Sequence, residues 1–184
     1  MFKKIIVIGS PGSGKSTFSR KLRDATGLPL HYLDMVWHKP DRTTVTREEF
    51  TEKLAALLAG EEWIIDGNYK RTLEMRLEAC DTVFLLDLPT EVCLSSVESR
   101  IKTKREDMPW IEEEFDPEFR EYIESFSKEV LPRIYRALEN YKDKRNIIVF
   151  RSRRETEEFI SSIERLSEIS DKNSQIRMEI VEKL

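Results

Sequence analysis

The first apolar run of the chain, Ile5-Ile6-Val7-Ile8, is continuous rather than alternating, which fits a strand buried on both faces of a parallel sheet. The sequence predicts this strand over Lys3 to Ile8, and similar short runs predict strands at Leu30 to Leu33, Glu62 to Asp66, Thr82 to Leu88 and Ile147 to Phe150. Between them the apolar spacing changes to three and four. Phe18, Leu22 and Ala25 form one such set, Phe50, Leu54 and Leu57 a second, and Val92, Val97 and Ile101 a third. Phe119, Ile123, Phe126, Val130, Ile134 and Leu138 form a long one, and Phe159, Ile163 and Leu166 the last. This spacing places each set on one helical face.

Local punctuation sharpens the boundaries. Gly27 and Pro29 end the first helix, and Thr46 with Glu49 reads as a capping box for the second. Pro132 predicts a kink in the long helix, because proline lacks the amide donor. Asp34 to Val45 reads as a loop, and Arg71 to Glu78 as a short helix. Five strands alternating with helices predict an α/β fold with a parallel sheet and helices on both faces. In such sheets ligands bind beyond the carboxyl ends of the strands. Residues 1–170 form the predicted domain, and 171–184 a mostly polar tail that either frays or extends the last helix.

Composition narrows the classes. A chain of 184 residues with 39% hydrophobic and 36% charged positions suits one soluble domain. The net charge of −4 argues against a protein built mainly to bind nucleic acid, though it leaves room for a local basic groove. No apolar run approaches bilayer length, and the N-terminus has no signal-peptide pattern. Cys80 and Cys93 stand apart, which predicts neither a disulfide framework nor a zinc site and points to a reduced, cytoplasmic setting. His31 and His38 are the two histidines, too few for a histidine metal site.

The chemistry concentrates after the first strand. Gly9-Ser10-Pro11-Gly12-Ser13-Gly14-Lys15-Ser16 fits G-x-x-x-x-G-K-[ST] at every position, between an aliphatic strand and an amphipathic helix. The glycines let main-chain amides wrap a phosphate, and the helix start turns its positive end toward the anion. Lys15 adds charge toward the β- and γ-phosphates, Ser16 offers a hydroxyl to Mg²⁺, and Thr17 reaches the α-phosphate side. ATP with Mg²⁺ is therefore the expected cofactor pair, with GTP left open. A second metal carboxylate is expected at a neighbouring strand end. Asp66 is favoured, beside the open, polar Gly67-Asn68; Asp87 is the other candidate and could instead cap the next helix.

These residues resemble the adenylate-kinase-like P-loop phosphotransferases. The likeness is more specific to the bacterial DNA topology modulation proteins, through Leu33-Asp34 with Trp37 and Pro40, Trp63-Ile64-Ile65-Asp66-Gly67-Asn68-Tyr69, and Arg71-Thr72-Leu73. Phe84-Leu85-Leu86-Asp87-Leu88-Pro89 and Arg151-Ser152-Arg153-Arg154-Glu155 extend it, over about residues 1 to 165. The resemblance implies a P-loop NTPase three-layer sandwich with strand order 2-3-1-4-5 and Asp66 beside the phosphate loop. It also implies a short basic lid around residues 100–116, with Arg100, Lys102, Lys104 and Arg105 bringing charge to the migrating phosphoryl group. The chain departs from adenylate kinases in lacking their long lid. It also has Asp66-Gly67-Asn68-Tyr69-Lys70-Arg71 in place of Asp-Gly-Phe-Pro-Arg, which argues against AMP as acceptor.

By the same resemblance Asp34 binds or deprotonates the acceptor hydroxyl, or else serves as a cap or loop ion pair. Trp37 walls the acceptor pocket or anchors its loop. Asn68, Tyr69 and Arg71 face the acceptor, Arg71 as a bidentate anion contact or else a surface ion pair, and Arg76 is a weaker candidate that reads as structural. Arg151 and Arg153 cradle the adenine or form a plain basic turn. The implied function is an ATP- and Mg²⁺-dependent phosphotransferase acting on a nucleotide, nucleoside or other small acceptor. The alternative is an ATP-binding regulator that affects DNA topology without phosphoryl transfer.

Overall fold

The computed structural model describes residues 2–181. The continuous apolar runs become the strands β1 (Lys4–Gly9), β2 (Leu30–Tyr32), β3 (Trp63–Asp66), β4 (Thr82–Leu86) and β5 (Asn146–Phe150). The helices are α1 (Lys15–Thr26), α2 (Leu33–Trp37), α3 (Arg47–Leu58), α4 (Leu73–Ala79), α5 (Thr90–Ser99), α6 (Pro117–Glu129), α7 (Leu131–Glu139) and α8 (Arg153–Val181), with a 3₁₀ turn over Lys70–Thr72. All strands pair in parallel in the order β2-β3-β1-β4-β5. This is the predicted order, and it puts the strand leading into the Gly9–Ser16 loop at the centre. In register, Val7 lies opposite Asp66 and Gly9 opposite Leu86, so β3 and β4 end beside that loop.

Each face of the sheet is covered. Ile6 and Ile8 pack with Leu54, Trp63, Leu77 and Phe126 on one side. Ile5 and Val7 pack with Phe18, Leu22, Phe84 and Cys93 on the other. Burial on both faces is the reason these strands read as unbroken apolar runs. Phe18, Phe84, Phe150 and Phe159 form an aromatic cluster that seats α1 and α8 on β4 and β5, with ring centroids 5.1 to 5.8 Å apart across the closest pairs. Both cysteines are free and buried. Among the described residues no helix is long and apolar enough to cross a membrane.

Three local features differ from the sequence reading. The segment read as a loop from Asp34 begins with α2, closed by the His38 amide donating to the Asp34 carbonyl at 2.9 Å. A single helical turn is too short to register as a periodic pattern. The long kinked helix is two helices, α6 and α7, meeting at Val130 (φ −99°, ψ −49°), with Pro132 in the first turn of α7, where its missing N–H is harmless. Asp87 caps no helix: it accepts from the Tyr135 hydroxyl at 2.6 Å and so ties the end of β4 to α7. Helix α8 continues past Leu166 to Val181, and 182–184 of the expected tail lie outside the described residues.

The capping box is present at both ends. Glu49 N donates to Thr46 Oγ1 at 3.1 Å, and Thr46 N donates to Glu49 Oε2 at 2.8 Å. Thr46→Ala is expected to lower unfolding free energy by about 1 kcal/mol, measured by urea titration. An unchanged midpoint would mean that water replaces the box at no cost.

Candidate active site

The Gly9–Ser16 loop is wedged between β4 and α5. A Cβ on Gly9 would lie 2.3 Å from the Leu86 carbonyl oxygen, and one on Gly12 would lie 2.1 Å from that of Cys93. Both residues also have positive φ, 144° and 79°, so only glycine fits. Asn68 clamps the loop from β3: its Nδ2 donates to Gly9 O at 2.7 Å, and Gly9 N donates to its Oδ1 at 3.0 Å. Helix α1 then starts at Lys15 and has no side-chain cap on its first amides. Such amides form an anion seat. Lys15 Nζ donates to Ser10 O at 3.0 Å. Burial lowers the Lys15 pKa, and the negative charges of Asp66 and Asp34 oppose that shift.

A cleft of about 940 Å³ opens above this loop. On its floor Asp66 is 4% exposed, and its Oδ1 has no hydrogen-bond partner among the described residues. Burial pushes the Asp66 carboxyl up to about 6, against the pull of Lys15. Ser16 Oγ donates to Asp107 Oδ2 at 2.8 Å. The sequence reading did not single out Asp107, which lies in the acidic stretch between α5 and α6 and is only 7% exposed. A hydroxyl and two carboxylates, one with an orphaned oxygen, are the hard donors Mg²⁺ takes. Among the described residues no three His, Cys, Asp or Glu side chains are grouped to hold a metal unaided. An ion here would complete its shell with water and phosphate oxygens, as Mg²⁺ does.

Across the cleft, Asp34 projects from α2 and accepts from the Tyr69 hydroxyl at 2.8 Å. Burial and the Asp34 charge raise the Tyr69 pKa, so this phenol stays a donor. Tyr69 is held from behind. Phe50 stacks on its ring at 4.8 Å, and Trp37 meets both rings edge-on, at 5.4 Å from Phe50 and 6.2 Å from Tyr69. Trp37 is therefore the loop anchor of the two readings, and it is not among the residues lining the cleft. Arg71 is exposed and also stands outside the lining. Arg76 is fully buried and donates to the carbonyls of Thr72, Gly67, Asn68 and Tyr69. It fixes the turn that carries Asn68 and Tyr69.

The segment from Arg100 to Glu112 roofs the cleft. Arg100 and Arg105 lie 3.7 and 3.5 Å from Glu112, and Arg105 lies 3.7 Å from Asp107. These separations exceed hydrogen-bond length, and Arg100 Nε and Arg105 Nη1 are buried without partners among the described residues. Lys104 lines the cleft. Lys102 does not: it has φ 61° and its amide donates to Glu112 O at 2.7 Å. Trp110 packs edge-on against His38, 4.9 Å between centroids, which pins the roof to the end of α2. Arg153, at the start of α8, lines the other end and donates to Ser96 Oγ, whereas Arg151 is exposed outside the cleft. Thr17 also lines it, beyond Ser16.

The parallel sheet of order 2-3-1-4-5 between helical layers, with a glycine-rich loop after the central strand, is the three-layer α/β sandwich of P-loop NTPase type. No family model matches the chain, and no curated protein matches it. Among 210 similar solved chains are the following two. One is a sugar kinase from Janibacter sp. HTCC2649, unliganded, at 22% identity and TM-score 0.49, covering 88% of this chain and 92% of that one. The other is a candidate kinase from Chloroflexus aurantiacus j-10-fl, at 19% identity and TM-score 0.44, covering 66% of this chain and 77% of that one. Similarity at this level leaves the chemistry to be read from the chain's own side chains.

Proposed function

We propose that the chain is an ATP- and Mg²⁺-dependent phosphotransferase that acts on a hydroxyl of a small acceptor, of which nucleosides and nucleotides are the first candidates. One observation supports this reading most. Lys15 and Ser16 share a single cleft with the Asp34–Tyr69 pair, under a roof whose Arg100 Nε and Arg105 Nη1 have no hydrogen-bond partner among the described residues.

The loop amides from Gly12 to Thr17, with Lys15, bind the triphosphate, and Arg153 lies at the end of the cleft left for the base. Ser16 and Asp66 hold Mg²⁺, which neutralises charge on the phosphates when bound. Asp34, oriented by the Tyr69 hydroxyl, accepts the acceptor's proton as its oxygen bonds to the γ-phosphorus. The bond from that phosphorus to the bridging oxygen breaks, and ADP leaves. Arg100, Arg105 and Lys15 stabilise the charge on the migrating group. Asn68 acts through the loop rather than on the acceptor.

The test is a screen of nucleosides, nucleotides and other small hydroxyl compounds that follows ADP release with and without each. With the acceptor that responds, Asp34→Asn is expected to cut turnover by about 10²- to 10⁴-fold while Mg·ATP affinity is retained. A protein that binds Mg·ATP, answers to no acceptor and shifts DNA in a salt-sensitive way would be a nucleotide-binding regulator instead.

A further inference from the structure

We infer that Asp107 is a metal-facing carboxylate carried by the roof segment, so that the divalent ion, and not the nucleotide alone, closes residues 100–112 over the cleft. This rests on reading the cleft as a Mg·ATP site. The direct observation is the Ser16 hydroxyl, which spends its proton on Asp107 Oδ2 at 2.8 Å, across 91 positions of sequence.

The electrostatics of the contact favour a cation. Asp107 is 7% exposed, and the cation paired with it, Arg105, is 3.7 Å away and shared with Glu112. Asp66 is 4% exposed, its Oδ1 has no hydrogen-bond partner among the described residues, and it lines the same cleft as Ser16 and Asp107. Two nearly buried carboxylates around one hydroxyl repel each other, and a buried charge without a full partner is costly. A divalent ion among Ser16, Asp66 and Asp107 relieves both and uses the orphaned oxygen. A triphosphate arriving without the ion would add negative charge beside Asp107 and push the roof away. With the ion present the same carboxylate becomes an attraction. Arg105 sits two residues before Asp107, so the position of Asp107 also sets where that guanidinium meets the phosphates.

The experiment uses the full chain with a non-hydrolysable ATP analogue. Mn²⁺ binding to the analogue complex is measured by electron paramagnetic resonance for wild type, Asp107→Asn and Asp107→Glu. The expected result is a loss of about 10- to 100-fold in Mn²⁺ affinity for the Asn variant, with metal-free analogue affinity undiminished and the Glu variant between the two. A second arm needs wild type alone. Amide exchange over residues 100–112 should slow at least about tenfold when Mg²⁺ joins the analogue, and not when the analogue is added with EDTA. Equal Mn²⁺ affinity in Asp107→Asn, or equal roof protection with and without metal, overturns the inference. A wild type that takes up the analogue but holds no Mn²⁺ beside it overturns the Mg·ATP reading itself.

Discussion

Lys15→Ala is expected to lower turnover by about 10²- to 10³-fold and to weaken Mg·nucleotide binding by about 10- to 100-fold. The lysine ammonium lies at the head of α1 with its Nζ on Ser10 O at 3.0 Å. It is desolvated, yet Asp66 and Asp34 supply the negative field that opposes its loss of charge. Exchanging a neutral carbonyl for a γ-phosphate oxygen turns this bond into an ion pair in a poorly hydrated site. A hydrogen bond to a charged group there contributes about 1.5–3 kcal/mol, which is the tenfold to hundredfold loss in affinity. The further loss of turnover arises because charge on the γ-phosphoryl oxygens shifts during transfer, and removing one fixed stabiliser of developing charge costs about 10²–10³ in rate. Calorimetry with a non-hydrolysable Mg·ATP analogue reads the first quantity, and ADP release with the responding acceptor reads the second. A variant that turns over within tenfold of wild type would remove Lys15 from the chemistry.

The parts of this site that were legible in the sequence share a physical cause. The strands β1, β3 and β4 are buried on both faces, so their runs are unbroken, and the glycine-rich loop must be spelled as it is because Leu86 and Cys93 carbonyls leave no room for side chains at Gly9 and Gly12. Asp66 follows from being the last residue of β3, next to the loop's own strand. Asp107 was not legible. Its neighbour Glu106 is exposed and pairs with Arg23, and nothing local separates one acid from the next in an irregular stretch. Arg76 reads as structural for a reason its spacing supports: Leu73, Arg76 and Leu77 are spaced i, i+3, i+4, the pattern of one helical face, and that face is buried. Arg71 belongs to the 3₁₀ turn before that helix and faces outward. Asn68 lines the cleft, as its position after Asp66 suggests, and the backbone of Gly9 also offers a donor and an acceptor that match its amide, which sequence position alone does not reveal.

Arg76→Ala is expected to lower unfolding free energy by about 3–5 kcal/mol, the cost typical of removing one partner from a buried charged network. The guanidinium is fully buried, and burial brings its pKa down to about 10, so it remains charged near neutrality. Its Nη1 donates to Gly67 O at 2.6 Å, its Nη2 to Asn68 O and to Tyr69 O at 3.1 Å, and its Nε to Thr72 O at 3.3 Å. Truncation leaves a run of carbonyls without donors, at about 1–3 kcal/mol for each that stays dry, and a cavity under α4. Relief from desolvating a guanidinium offsets part of that sum, which keeps the expected loss below the total. Arg76→Lys retains the charge but cannot span several carbonyls with one ammonium, so it should fall between alanine and wild type. The turn it holds carries Asn68, which clamps Gly9, and Tyr69, which orients Asp34. Both variants should therefore weaken Mg·nucleotide binding although Arg76 does not line the cleft. Urea titration measures the stability loss, and calorimetry on the folded Lys variant measures the binding loss. A loss under about 1 kcal/mol in Arg76→Ala would mean that water reaches those carbonyls and that the turn holds its shape without the guanidinium.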